Sequence, residues 1–229
     1  MKFLQAIIFF DLDNTLVHIK NSHNFFDNII VQVFNEFNIP PPVKEERDRL
    51  WRNSDYKQLL RSWNFLDPVK FWISFDKLDL EQRKILHAQG DLRLFGDVIP
   101  TLVKLKELGN TYLLLITNSS LKIARFELDA FGLDFYFQEI LALGDSQEEC
   151  KPNPGQILLT LQRLSKDYKF DKRDVYIVGD SPFDISAGKN AKINSIWVKR
   201  WEKSHKHWEH KPDYIIDNLE QLFSILDLT

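Results

Sequence analysis

Six short apolar runs, Ala6 to Phe10, Tyr112 to Ile116, Glu139 to Leu143, Val175 to Val178, Ser195 to Val198 and Tyr214 to Ile216, alternate with longer segments of helical periodicity. Runs this short, several of them carrying β-branched residues, suit strands buried on both faces, and their alternation with helices builds a parallel sheet covered by helices. The chain therefore reads as α/β. Polar groups close four of the runs at once: Asp11 follows the first, Thr117 and Asn118 the second, Gly144 and Asp145 the third, and Gly179 and Asp180 the fourth. In open α/β sheets ligands sit beyond the carboxyl ends of the strands, so these four loops point to one site.

The first two runs break the rhythm. About a hundred residues separate them, where a crossover needs only a few tens. Residues 20–90 fill the gap with helical patterns. Phe25, Phe26, Ile29, Ile30, Val33, Phe34 and Phe37 fall at three- and four-residue spacings that make one apolar face, and Pro40, Pro41 and Pro42 are expected to end that helix. Further helical segments run through Trp51, Leu59, Leu60, Trp63, Phe71, Trp72, Phe75, Ile85 and Leu86. This predicts an all-helical module at 20–90, read as a cap, inserted into a core formed by residues 1–19 and 91–229. The aromatic stripe reads as the core of that module rather than as a ligand box.

Bulk properties narrow the partners. With 229 residues, 44% of them hydrophobic, the chain can bury a substantial core. Thirty basic against 33 acidic side chains leave a net charge of -3, which gives no global attraction for a nucleic-acid polymer or an anionic membrane. No apolar run approaches the roughly 20 residues of a membrane-spanning helix. The single cysteine, Cys150, cannot form an internal disulfide, and no secretory signal opens the chain, so a cytoplasmic location is expected. The stretch Lys199 to Lys211 gathers His205, His207, His210, Trp201 and Trp208 with several lysines, but its spacing fits no zinc pattern and Glu202 and Glu209 interrupt it. It reads as a solvated loop.

The chemistry sits in four segments. Phe10-Asp11-Leu12-Asp13-Asn14-Thr15-Leu16 places two carboxylates two positions apart at a strand end, where an extended backbone aims both to one side. One carboxylate can attack phosphorus to form an acyl phosphate, a role that suits Asp11, and the other can pass a proton to the leaving group and later take one from water, which suits Asp13. An acidic pair in this place also makes an ordinary turn. In Val178-Gly179-Asp180-Ser181-Pro182-Phe183-Asp184, the carboxylate of Asp180 offers hard oxygen to magnesium. Asp184 lies behind it, binding the metal through water or holding a lysine; Ser181 and Pro182 also read as a helix cap and first turn. Lys151 lies in Cys150-Lys151-Pro152-Asn153-Pro154, a stiff setting for a cation before a helix from Gln156. Thr117 and Asn118 offer a hydroxyl and an amide to a phosphoryl group, and serve equally well as turn formers.

In this order the segments resemble the haloacid dehalogenase superfamily, over nearly the whole chain. Its DxDx[TV] motif matches Asp11 to Thr15, its second-strand Ser/Thr matches Thr117, its lysine matches Lys151 in a KPxP setting, and its GDSxxD motif matches Gly179 to Asp184. The resemblance implies a Rossmann-like core with Asp11 as nucleophile and Asp13 as acid/base. It also implies Mg2+ held by Asp11, the backbone carbonyl of Asp13 and Asp180, and phosphate bound by Thr117 and Lys151. The helical insertion after the first strand looks like the cap of the phosphoglycolate phosphatase-like branch, whose members act on small phosphate esters. Lys192, after Asn190-Ala191, departs from the glycine that many relatives carry.

The expected partner is thus a small phosphorylated metabolite: phosphoglycolate, a sugar phosphate or a nucleoside monophosphate. Asp13 argues against the carbon-halide members of the superfamily, whose departing halide needs no proton. A phosphomutase acting on a sugar phosphate shares all four motifs and is the nearest alternative; a non-catalytic binding protein on the same scaffold has no need of the full set. In the helical module, Arg47, Arg49, Arg52 and Arg61 could meet a substrate carboxylate and the tryptophans could stack on a base. The oligomeric state is left open.

Overall fold

The computed structural model describes residues 1–51, 55–144, 147–201 and 205–226; Arg52, Asp145 and Glu202 lie outside the described residues. Along the chain come β1 (Lys2–Phe3), β2 (Ala6–Phe10), β3 (Val17–Ile19), α1 (Ser22–Glu36), α2 (Lys44–Arg47), α3 (Tyr56–Ser62), α4 (Pro68–Gln89), β4 (Leu92–Leu94), α5 (Val98–Glu107), β5 (Thr111–Ser120) and α6 (Leu121–Ala130). They are followed by β6 (Glu139–Leu143), α7 (Gly155–Leu164), β7 (Tyr168–Lys169), β8 (Val175–Gly179), α8 (Pro182–Ala191), β9 (Asn194–Val198), β10 (Tyr214–Ile216) and α9 (Leu222–Ile225). The chain divides into two compact units, Met1–His18 with Arg93–Thr229, and Ile19–Leu92.

The expected α/β class with a parallel sheet is present. Six strands lie side by side in the order β10-β9-β8-β2-β5-β6, and every neighbouring pair is parallel. All five residues of β2 are buried, as a central parallel strand requires, and Phe10 pairs with Leu115 on one side and Val178 on the other. Because β5 and β8 flank β2, the chain reverses its direction of travel across the sheet there. The carboxyl ends of β2, β5 and β8 therefore meet at a topological switch point, where open α/β sheets bind ligands. Helices α7 and α8 cover one face, with Ile157, Leu161, Leu164, Ala187 and Ala191 packed on Ile7, Phe9 and Ile177. Gly188 makes the approach of α8 possible: a Cβ there would stand 2.5 Å from Ile177 Cγ2.

The second unit is helical. Ile29, Ile30, Val33 and Phe34 of α1 pack with Leu59, Leu60, Trp63, Phe65, Phe71, Trp72 and Phe75, so the aromatic stripe is core, as its spacing indicated. Its rings meet edge to face, with Phe34 5.5 Å from Phe65 and 6.0 Å from Phe71. Helix α1 stops before the three prolines, because Asn38 takes a left-handed conformation (φ 54) and turns the chain first. Arg47 is not available to a substrate: it forms a two-pronged ion pair with Asp27 at 2.7 and 2.8 Å. No helix among the described residues is long and apolar enough to cross a membrane.

Two further expectations change. Strand β5 runs on to Ser120 with an irregular register between Ile116 and Ser120, so Thr117 and Asn118 lie in its final stretch rather than after it. The segment read as solvated is so only in part: Lys206, His207, Glu209 and Lys211 are exposed, but His205 and Trp208 lie 5.1 and 5.0 Å from buried Trp197, and Trp201 lies 5.8 Å from Phe95.

Lys192 takes a backbone conformation that favours glycine. It closes α8 in the left-handed region (φ 57, ψ 46), with its N–H bonded to Lys189 O and that of Ile193 to Gly188 O. A side chain costs about 1 kcal/mol in that conformation. Lys192→Gly should therefore stabilise the core unit by about that amount and raise its thermal midpoint by about 2–4 °C. A lowered midpoint would show that the lysine side chain makes contacts outweighing the backbone strain.

Candidate active site

Three strand ends deliver the groups. Asp11 follows β2, and its peptide N–H is fixed by Val178 O of β8 at 2.9 Å. Beyond it the chain turns tightly: the N–H groups of Leu16 and Val17 return to Leu12 O at 2.9 and 3.0 Å, and Asn14 is left-handed (φ 60). This turn brings the hydroxyl of Thr15 back to donate to Asp11 Oδ2 at 2.9 Å. Lys151, only 4% exposed, donates to Asp11 Oδ1 at 2.6 Å, to Asp184 Oδ1 at 2.6 Å and to Ile116 O at 3.0 Å. An ammonium has three N–H donors, and these three acceptors set the direction of Lys151.

Each partner of the lysine is held in turn. Asp184 Oδ2 accepts from Ser181 N–H at 3.1 Å and Ser181 Oγ at 2.5 Å, so this carboxylate both opens α8 and anchors the lysine. Asp184 makes the salt bridge to the lysine that was one of its two expected roles. Gly179 is what admits it: a Cβ there would lie 2.2 Å from Asp184 Cγ, so any side chain would displace the carboxylate. Asn118, expected to touch phosphate, clamps the main chain of Lys151. Its Oδ1 accepts from Lys151 N–H at 2.8 Å and its Nδ2 donates to Lys151 O at 3.1 Å. Thr117 is buried, and its Oγ1 accepts the N–H of Ser119 at 3.0 Å. Ser119 Oγ donates to Asp13 Oδ2 at 2.7 Å, a contact the sequence reading missed; its only signal was the polar run Thr117 to Ser120 at the end of an apolar strand.

Charge in this site is unbalanced. Buried carboxylate oxygens of Asp11, Asp180 and Asp184 all lie within 4.8 Å of one another, around one ammonium. Burial pushes the Asp11 carboxyl well above the usual range; Lys151 pulls it back, while Asp184 and Asp180 push it up further. Burial opposes the charge on Lys151, yet Asp11 and Asp184 outweigh it and raise the ammonium above the usual lysine range. The lysine is thus held protonated, and the surplus of hard carboxylate oxygen fits a divalent cation such as magnesium.

Most of the chain matches a known family. The description of a haloacid dehalogenase-like hydrolase matches residues 8–198. The chain belongs to that family. It is 31% identical to the phosphoglycolate phosphatase of Haemophilus influenzae over 228 residues, covering 96% of this chain and 97% of the relative. It is 29% identical to the pyrophosphatase PpaX of Halalkalibacterium halodurans over 224 residues, with 96% and 95% covered. Its fold is similar to that of CbbY from Rhodobacter sphaeroides, solved in complex with phosphate, with a TM-score of 0.73 at 19% identity and 97% and 99% covered.

In this haloacid dehalogenase-like hydrolase the buried lysine is the electrostatic centre of the core unit. Removing one member of a buried ion pair costs about 3–5 kcal/mol, since it leaves uncompensated charge. Lys151→Met should lower the unfolding free energy by about that much at pH 7 in the presence of a chelator. The raised pKa means that the wild-type advantage is fully present below the ordinary lysine value of 10.5 and is lost only as pH rises through the higher folded value. Urea titrations of both proteins at pH 7 and pH 10 check this. Equal stability at pH 7 would deny the lysine its central place.

Proposed function

We propose that the protein is a magnesium-dependent phosphatase that hydrolyses a small phosphate monoester through an aspartyl-phosphate on Asp11. The observation that carries this reading is the buried Lys151 ammonium, 2.6 Å from Asp11 Oδ1, with the carboxylate of Asp13 two residues on held separately by Ser119. A carboxylate fixed at both oxygens, by Lys151 and by Thr15, presents its lone pairs in one direction, which suits in-line attack on phosphorus. Asp13, whose Oδ2 accepts from the hydroxyl of Ser119, is the acid/base that carries a proton to the leaving oxygen and takes one from water.

Magnesium would be held by Asp11, Asp180 and the main-chain carbonyl of Asp13, and when bound it supplies positive charge to the phosphoryl oxygens. Lys151 and Thr117 serve as phosphate-binding residues, and Asn118 acts by fixing the lysine. Residues 20–90 serve as the cap domain, and residues 1–19 and 91–229 as the catalytic core. The substrate is a small phosphorylated metabolite such as phosphoglycolate, a sugar phosphate or a nucleoside monophosphate. Full-length similarity to a phosphoglycolate phosphatase and to a pyrophosphatase supports water as the phosphoryl acceptor. Water is what distinguishes this reading from a phosphomutase, which returns the group to a sugar.

Purified protein screened against phosphoglycolate, sugar phosphates, nucleoside monophosphates and pyrophosphate should release inorganic phosphate with magnesium and none with excess chelator. Undiminished release in chelator would sink the metal assignment. Conversion of a sugar phosphate to its isomer without phosphate release would favour the mutase.

A further inference from the structure

Arg200 lies just beyond β9, far in sequence from every motif, yet its side chain is only 5% exposed and is aimed at the turn that follows Asp11. Its Nη2 and Nε both donate to Thr15 O, at 2.7 and 3.1 Å. Its Nη1 donates to Asp97 Oδ2 at 2.7 Å, and the same oxygen accepts the N–H of Leu219 at 2.8 Å. The guanidinium lies 4.0 Å above the ring of Phe95, whose own N–H is bonded to Leu16 O. The fork is therefore locked on every side: by an anion at one edge, a carbonyl at the other and an aromatic face below.

The target of the fork is what gives it meaning. Thr15 is fully buried, its carbonyl held by Arg200 and its hydroxyl bonded to Asp11 Oδ2 at 2.9 Å. From the geometry we infer that Arg200 is a positioning residue for the phosphoryl-transfer step. By fixing the carbonyl of Thr15 it fixes the hydroxyl of Thr15, and through that the direction of the Asp11 carboxylate. This inference rests on the reading of Asp11 as nucleophile. The turn carries left-handed Asn14 one residue before Thr15, and the bonds of Thr15 to Arg200 and Asp11 fix the residue that follows it. A plain structural ion pair between Arg200 and Asp97 would need only charge; two donors on one carbonyl plus a third on a carboxylate need the planar fork.

Arg200→Lys separates the two. Lysine keeps the charge beside Asp97, so a purely structural pair predicts an unchanged enzyme. Loss of the fork predicts a fall in kcat of about tenfold or more on an activated ester such as p-nitrophenyl phosphate, because small misplacement of a reacting group carries penalties of that order. KM should change by less than about twofold, since the phosphate-binding groups Lys151 and Thr117 are untouched. Independently of turnover, amide hydrogen exchange should quicken at Asn14 to Val17, whose N–H groups close the turn, while the protection of β5 and β8 stays as in the wild type. Unchanged exchange at Asn14 to Val17 would overturn the inference even if the wild-type protein hydrolysed no ester tested. Faster exchange with an unchanged kcat would overturn it for an active enzyme.

Discussion

A protonated lysine buried among carboxylates sets the terms for the catalytic core. Taking an ammonium out of water costs several kcal/mol, and only well-placed partners offset it. Lys151 finds three, from three different strand ends: Asp11 after β2, Ile116 O in β5, and Asp184 in the helix after β8. None of the three is close to it in sequence. The parallel sheet has to be formed, in its observed strand order, before this cation can be accommodated, which couples the site to the global fold. The constraint runs the other way as well. Gly179 has no side chain because Asp184 occupies that space, and Asn118 gives both ends of its amide to the lysine main chain rather than to solvent.

The α/β class was legible because the rule behind it is local: a strand buried on both faces must be apolar throughout, and β2 is. The polar residues at the strand ends were legible for a related reason, since Asp11, Thr117 and Asp180 interrupt runs that packing alone would continue. What stayed hidden were contacts between distant segments that obey no period. Asn118 meets Lys151 across 33 positions and Arg200 meets Thr15 across 185, and neither leaves a mark beyond a polar residue near an apolar run. Ser119 was overlooked beside the more conspicuous Thr117 and Asn118, although its hydroxyl reaches Asp13. The end of α1 was misplaced because prolines are louder in a sequence than an asparagine that turns left-handed.

The helical unit shows how a residue type can mislead. Its arginines look suited to a substrate anion, but Arg47 neutralises buried Asp27 and Arg49 pairs with Glu46. Arg83 lies fully buried against Asp79, with its guanidinium 5.6 Å from the ring of Phe26. Trp63 and Trp72 are packed within the aromatic core of the unit. Arg47, Arg83, Trp63 and Trp72 are therefore consumed in holding these helices together, whereas Arg49 and Arg61 stay exposed.

Covalent capture of phosphate by Asp11 is the centre of the proposed mechanism, and it separates two aspartates that stand two residues apart. The direct measurement is rapid-quench labelling with an activated phosphate ester on the wild-type protein, Asp11→Asn and Asp13→Asn. An amide is a poor nucleophile at phosphorus, whereas loss of the acid/base slows breakdown of an acyl phosphate more than its formation from a good leaving group. Labelled protein, stable to acid and cleaved by hydroxylamine, is expected to accumulate in Asp13→Asn and to be absent from Asp11→Asn. Equal labelling of the two variants would mean that Asp11 is not the nucleophile and that its contact with Lys151 serves some other purpose.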